Sequence, residues 1–80
     1  MSGIKVEVLG SGCQKCQQLE RNVRAAIAAL QLEAEIVHIK DPIEIAQRGV
    51  MSTPALAING NVRSKGKVIS TEEIQLLLQA

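Results

Sequence analysis

The chain has 80 residues, a formal net charge of +1, 46% hydrophobic residues, and no phenylalanine, tyrosine or tryptophan. A chain this short buries only about 60–65% of the surface its unfolded form exposes, which points to one small domain, residues 1–80, with a densely packed aliphatic core. Without a run of Lys or Arg, an apolar stretch of about 18 residues, or room for a leader before a strand starting at Ile4, the expected protein is cytoplasmic and monomeric and binds neither nucleic acid nor membrane.

Residues 4–9 (Ile-Lys-Val-Glu-Val-Leu) are largely β-branched, with Ile4, Val6 and Val8 on one face, and Gly10 and Gly12 bound the run; this predicts the first strand. From Gln14 to about Gln31, Cys16, Leu19, Val23, Ala26, Ile27 and Leu30 recur at spacings of three and four, the apolar stripe of a long amphipathic helix. Ala34 to Ile39 reads as a second strand, parallel to the first because a helix intervenes. Asp41-Pro42 supplies a cap and a first-turn proline for a short helix ending near Gly49. After the loop of residues 50–54, the runs Ala55 to Ile58 and from Val62 onward flank Asn59-Gly60-Asn61, a turn signal that predicts a hairpin. Residues 66–69 form a connection, and Ser70-Thr71-Glu72-Glu73 is a capping box opening a last helix that carries Ile74, Leu77 and Leu78.

Both cysteines lie in Gly10-Ser11-Gly12-Cys13-Gln14-Lys15-Cys16, spaced C-x-x-C where the first strand gives way to the helix. That position predicts Cys13 at the helix N-cap and Cys16 in its first turn, close enough to share a disulfide. The unpaired N–H groups of a helix start, with Lys15 adding a full charge, favour a thiolate on Cys13. Cysteines so placed have pKa values lowered from about 8.5 to a range of roughly 3.5–7.5. A bridge closing so short a loop restrains the unfolded chain little, so the pair is not a structural cross-link. Two close cysteines in an ordinary soluble composition suit a reducing compartment, where such motifs are redox or metal sites. Cys16 falls on the apolar stripe and Cys13 ahead of it, which shelters one sulfur and leaves the other to attack a partner's disulfide.

The order of strand, C-x-x-C helix, strand, Thr-Pro before a hairpin and terminal helix resembles the thioredoxin superfamily along the whole chain. The segments G-S-G-C-Q-K-C-Q-Q-L-E (residues 10–20), G-V-M-S-T-P-A-L-A-I-N-G (49–60) and S-T-E-E-I (70–74) are similar to the small thioredoxin/glutaredoxin-like proteins of the redox-active disulfide protein 2 type. The resemblance implies a thioredoxin-like α/β fold, β-α-β-α-β-β-α, with a four-stranded mixed sheet in the order 2-1-3-4 and helices on both faces. It implies a thiol–disulfide oxidoreductase without a cofactor, acting on protein disulfides and drawing electrons from a thioredoxin-reductase-type reductant. Carried onto this sequence, Cys13 is the attacking thiolate, Cys16 the resolving thiol, and Thr53-Pro54, with a cis peptide bond, the edge that docks the substrate; Gly12 and Lys15 support the pair. Gly12 stands where typical thioredoxins have Trp, and Gln14-Lys15 where they have Gly-Pro. The acidic residue that helps glutaredoxins hold glutathione is missing from residues 66–70. An ungapped comparison sets Glu7 where thioredoxins keep a buried acid, but Lys5 on the same strand face predicts that this face is wet.

The competing class is a soft-metal carrier for copper or a metalloid, since thiolates select soft ions. Small copper chaperones usually carry Met two residues before the first cysteine and finish on a strand, whereas this chain has Ser11 and a helical end. A structural zinc site needs four ligands, and Cys13, Cys16 and the single His38 provide three. His38 is expected to be partly buried and hydrogen-bonded without a chemical role, Met51 to pack in the core or its loop, and Arg63, Lys65 and Lys67 to serve solubility.

Overall fold

The computed structural model describes residues 3–10 and 14–79, so the expectations for Gly12 and Cys13 lie outside the described residues. Along the chain run β1 (Ile4–Leu9), α1 (Gln14–Leu30), β2 (Ala34–Ile39), α2 (Pro42–Gln47), β3 (Ala55–Ile58), β4 (Asn61–Lys65) and α3 (Thr71–Gln79). The strands make one mixed sheet in the order β2-β1-β3-β4. β1 and β2 are parallel, while β3 is antiparallel to both β1 and β4. This is the expected architecture, in element order and in strand order.

Strand alternation divides the core into two layers. Val6 and Val8 point to one side, where they meet Leu19 and Val23 of α1, Leu56 of β3 and Ile74 of α3. Leu9 points to the other, with Ile39, Ala55, Ala57 and Ile45 of α2. β3 is buried along its whole length because both layers use it.

Both ends of α2 are closed. Asp41 accepts a hydrogen bond from the Ile43 N–H at 3.0 Å, and Pro42 opens the helix as its sequence required. At the far end the Gly49 N–H donates to the Ala46 carbonyl at 2.9 Å and the Val50 N–H to that of Ile45 at 3.4 Å, a Schellman closure. Val50 and Ile45 then share the second core layer, which fixes the direction in which the chain leaves for residues 51–54.

The same closure ends α1 at Leu30, where the Gln31 and Leu32 N–H groups bond the Ala28 and Ile27 carbonyls, both at 3.2 Å. Gln31 takes a left-handed φ of 55° there instead of extending the helix. A Cβ in that region costs roughly 1–2 kcal/mol, of which the greater unfolded-state freedom of glycine offsets a part. Gln31→Gly is therefore expected to raise the unfolding free energy by about 0.5–1 kcal/mol in urea titrations; an unchanged or lower midpoint contradicts the assignment.

The hairpin turn has φ of 53° at Asn59 and 85° at Gly60, the signature of a type I′ turn, and β4 starts at Asn61, one residue earlier than predicted. Asn59 also binds β1, donating its N–H to the Lys5 carbonyl at 2.8 Å and accepting the Lys5 N–H on Oδ1 at 2.9 Å. Ser70 caps α3 by accepting the Glu73 N–H at 3.1 Å. Among the described residues no helix is long and apolar enough to cross a membrane.

Candidate active site

β1 delivers the chain to Gly10, whose N–H prolongs the β1–β2 ladder by donating to the Ile39 carbonyl at 2.9 Å. Cys16, in the first turn of α1, is fully buried, as its place on the apolar stripe predicted. Its sulfur lies directly over the Gly10 backbone: a Cβ built on Gly10 would overlap Cys16 Sγ and stand 3.3 Å from Cys16 Cβ and 3.8 Å from Pro54 Cα. Cys16 and Pro54 thus flank the same bare backbone, which joins the C-x-x-C helix to the loop before β3.

The Thr53–Pro54 peptide bond is cis, as the resemblance implied. Pro54 is fully buried, and Thr53 is exposed beside it. The Pro54 carbonyl accepts the Gly66 N–H at 2.8 Å. Gly66 has a φ of +75°, and a Cβ there would stand 2.9 Å from Ser52 Cβ, so the position requires glycine for conformation and for space. Four segments therefore converge: the end of β1, the first turn of α1, the loop of residues 50–54 and the turn after β4. Lys15 is exposed at the start of α1.

Met51 corrects the sequence expectation of a packing role, because it is 93% exposed. The Schellman closure buries Val50 and sends the next residue outward. The expectation of a wet face at Glu7 is also overturned, since Glu7 is only 2% exposed. Glu7 lies level with Val37 of β2 and Ala57 of β3, in the layer beneath α2, whereas Lys5 two residues earlier lies at the rim with its side chain half exposed. Arg48, at the end of α2, grips the Glu7 carboxylate with both arms, Nη1 to Oε1 at 2.7 Å and Nη2 to Oε2 at 2.6 Å. Those hydrogen bonds hold the Glu7 carboxyl below the usual carboxylate range against the opposing effect of burial, and the Arg48 and Lys5 charges add to them.

His38 is partly buried and bonded, as expected, with Nδ1 3.0 Å from Glu20 Oε1. Glu20 also receives Arg24 at 2.8 Å, and the hydrogen bond from Arg24 is the main reason its carboxyl is lowered. Among the described residues no group of three or more His, Cys, Asp or Glu side chains gathers in metal-binding proximity. Sequence reading missed Arg48 as the partner of Glu7 and Gly66 as the lock on Pro54. Only the glycine left a trace, as a small residue after a basic, alternating strand.

The family model described as "Thioredoxin domain" matches residues 4–79. A thioredoxin of Methanothermobacter thermautotrophicus is 39% identical over 75 residues, covering 94% of this chain and 97% of the relative. A thioredoxin of Methanocaldococcus jannaschii is 39% identical over 72 residues, covering 90% and 83%. In three dimensions the chain is similar to thioredoxin-2, a component of the malaria parasite protein secretion machinery, with a TM-score of 0.73, 14% identity and coverage of 95% of this chain and 81% of the other; this shows a shared fold. A match running from the first strand to the last helix makes this chain a member of the thioredoxin domain family.

Proposed function

We propose that the chain, acting as a single domain over residues 1–80, is a thiol–disulfide oxidoreductase that reduces protein disulfides or relays electrons to them through Cys13 and Cys16. The observation that carries the reading is the sulfur of Cys16, sealed against Gly10 with the cis-proline loop on the same spot. A resolving thiol needs this shelter: it must wait beside the attacking cysteine without itself meeting the solvent or a second substrate.

Cys13 immediately precedes Gln14, the first residue of α1, where helix N–H groups and Lys15 favour the thiolate. The Cys13 thiolate attacks one sulfur of the partner's disulfide, forming a mixed disulfide and expelling a partner thiolate. Cys16, giving up its proton, then attacks the Cys13 sulfur and expels the second partner thiolate. Two electrons pass to the partner, and the new Cys13–Cys16 disulfide is reduced by a two-electron donor of the thioredoxin-reductase type. Thr53, exposed beside the buried Pro54, offers its backbone to the partner's chain while this happens.

Cys16→Ser is expected to trap a mixed disulfide through Cys13, and Cys13→Ser to abolish both trapping and insulin-disulfide reduction. Non-reducing mass spectrometry of the two variants after exposure to an oxidised substrate reads this directly. Equal trapping by both variants overturns the order of attack. A wild-type pair that binds a soft metal but never cycles in a thiol buffer overturns the oxidoreductase reading itself.

A further inference from the structure

The charges of this chain are segregated in a way that its net charge of +1 conceals. Residues 10–19 and 49–70, which supply the segments meeting at Cys16 and Pro54, contain Lys15, Arg63, Lys65 and Lys67 and no acidic residue. The eight carboxylates all lie outside these two ranges. Asp41, two residues past the Ile39 whose carbonyl binds the Gly10 N–H, is taken up in capping α2, and Glu44 lies 4.0 Å from Arg48. Glu7 and Glu20 are engaged by Arg48 and Arg24. Glu33 and Glu35 belong to the opposite end of the sheet, where β2 starts beside Ile4 and Lys5. Glu72 and Glu73 come only in the first turn of α3.

The fold carries the basic residues to the site. Lys65 ends β4 level with Ala55, the residue after Pro54, and the Gly66 N–H is bonded to the Pro54 carbonyl, so Lys65 and Lys67 flank the lock on the cis-proline loop. Both are exposed, and neither has an acidic neighbour in the turn. Met51, 93% exposed, is the chain neighbour of Ser52, whose Cβ would stand 2.9 Å from a Cβ on Gly66, between Lys65 and Lys67, so the cis-proline loop brings a flexible apolar side chain to this face. A cationic rim around an apolar contact is complementary to an acidic surface with an apolar residue in it.

We propose that this face docks acidic protein partners, with Lys65 and Lys67 meeting carboxylates that flank the partner's disulfide and Met51 meeting an apolar side chain between them; the proposal rests on the oxidoreductase reading above. The charges act mainly on the rate of encounter, so the effect is largest at low ionic strength and fades as the screening length shrinks.

The test compares two synthetic peptides with the same intramolecular disulfide, one flanked by glutamates and the other by lysines, as substrates of the full chain. The acidic peptide is expected to have a kcat/KM about tenfold higher in about 20 mM salt, with the advantage largely gone at about 0.5 M. In a K65E/K67E double variant the preference should disappear or invert, and in Met51→Ser KM should rise a few-fold for both peptides. Equal kcat/KM for the two peptides at low salt, or a preference for the acidic one that persists in K65E/K67E, overturns the proposal. Reduction of neither peptide by the unmodified chain is a separate result: it overturns the oxidoreductase reading and the docking proposal with it.

Discussion

Gly10→Ala is expected to destabilise the chain by about 1–3 kcal/mol, the usual cost of forcing a methyl group into a packed interior. For a domain of this size each kcal/mol lowers Tm by roughly 4–8 °C. The cost comes from space alone, since Gly10 is not among the glycines with positive φ. The new Cβ would overlap Cys16 Sγ and press on Cys16 Cβ at 3.3 Å, with Pro54 behind it. The sulfur can turn only about χ1, in a site with no exposed surface, so either it moves off the Gly10 backbone or the first turn of α1 shifts. In the proposed mechanism either movement displaces the resolving sulfur, so turnover should fall while capture through Cys13 persists. Removing the sulfur isolates the cause. In a Gly10→Ala, Cys16→Ala double variant the added methyl finds room, and a double-mutant cycle should return a favourable coupling of about 1–2 kcal/mol. Additive costs in that cycle place the clash elsewhere.

Gly10 also illustrates what could be read from the sequence alone. It reads there as a turn signal and serves instead as bare backbone beneath a sulfur; the residue type is legible, but its reason is a contact six residues away. Features set by near neighbours came through: the Asp41-Pro42 cap, the Ser70 box, the Asn59-Gly60 turn and the stripe that buries Cys16 all depend on residues within one or two turns. Strand order followed from the resemblance, and the parallel pairing of β1 and β2 from the helix between them. Burial at a given position along a strand was less accessible. Lys5 and Glu7 share a face, and alternation cannot tell that one lies at the rim and the other beneath α2. Arg48 is 41 residues away and looks like any helix-end cation until the sheet and α2 are assembled. Met51 reads as core by composition, and only the closure of α2 decides that Val50 goes in and Met51 goes out.

The pair hidden in this way is expected to dominate the acid response of the fold. Arg48→Ala removes both hydrogen bonds from a carboxylate that is 2% exposed and leaves, among the described residues, Lys5, 4.0 Å away at the rim, to balance it. Breaking a fully buried pair costs roughly 3–5 kcal/mol, and because water reaches the cavity left by a side chain that was 30% exposed, about 2–3 kcal/mol is expected here. The pH dependence identifies the source. In the intact chain Glu7 titrates below its ordinary value, so its contribution is fully present above the unfolded-state pKa and is lost as pH falls through that value towards the folded one. In Arg48→Ala the remaining influence is mainly burial, which raises the carboxyl instead, so protonation relieves the variant while it weakens the parent. The difference in unfolding free energy between the two should thus be largest near pH 7 and shrink at about pH 4, as measured by urea titration at each. Glu7→Gln, which buries no charge, should cost less than Arg48→Ala at neutral pH and flatten the acid limb. An Arg48→Ala penalty that stays constant across this range would mean that Arg48 stabilises the end of α2 by packing, with the Glu7 charge contributing nothing.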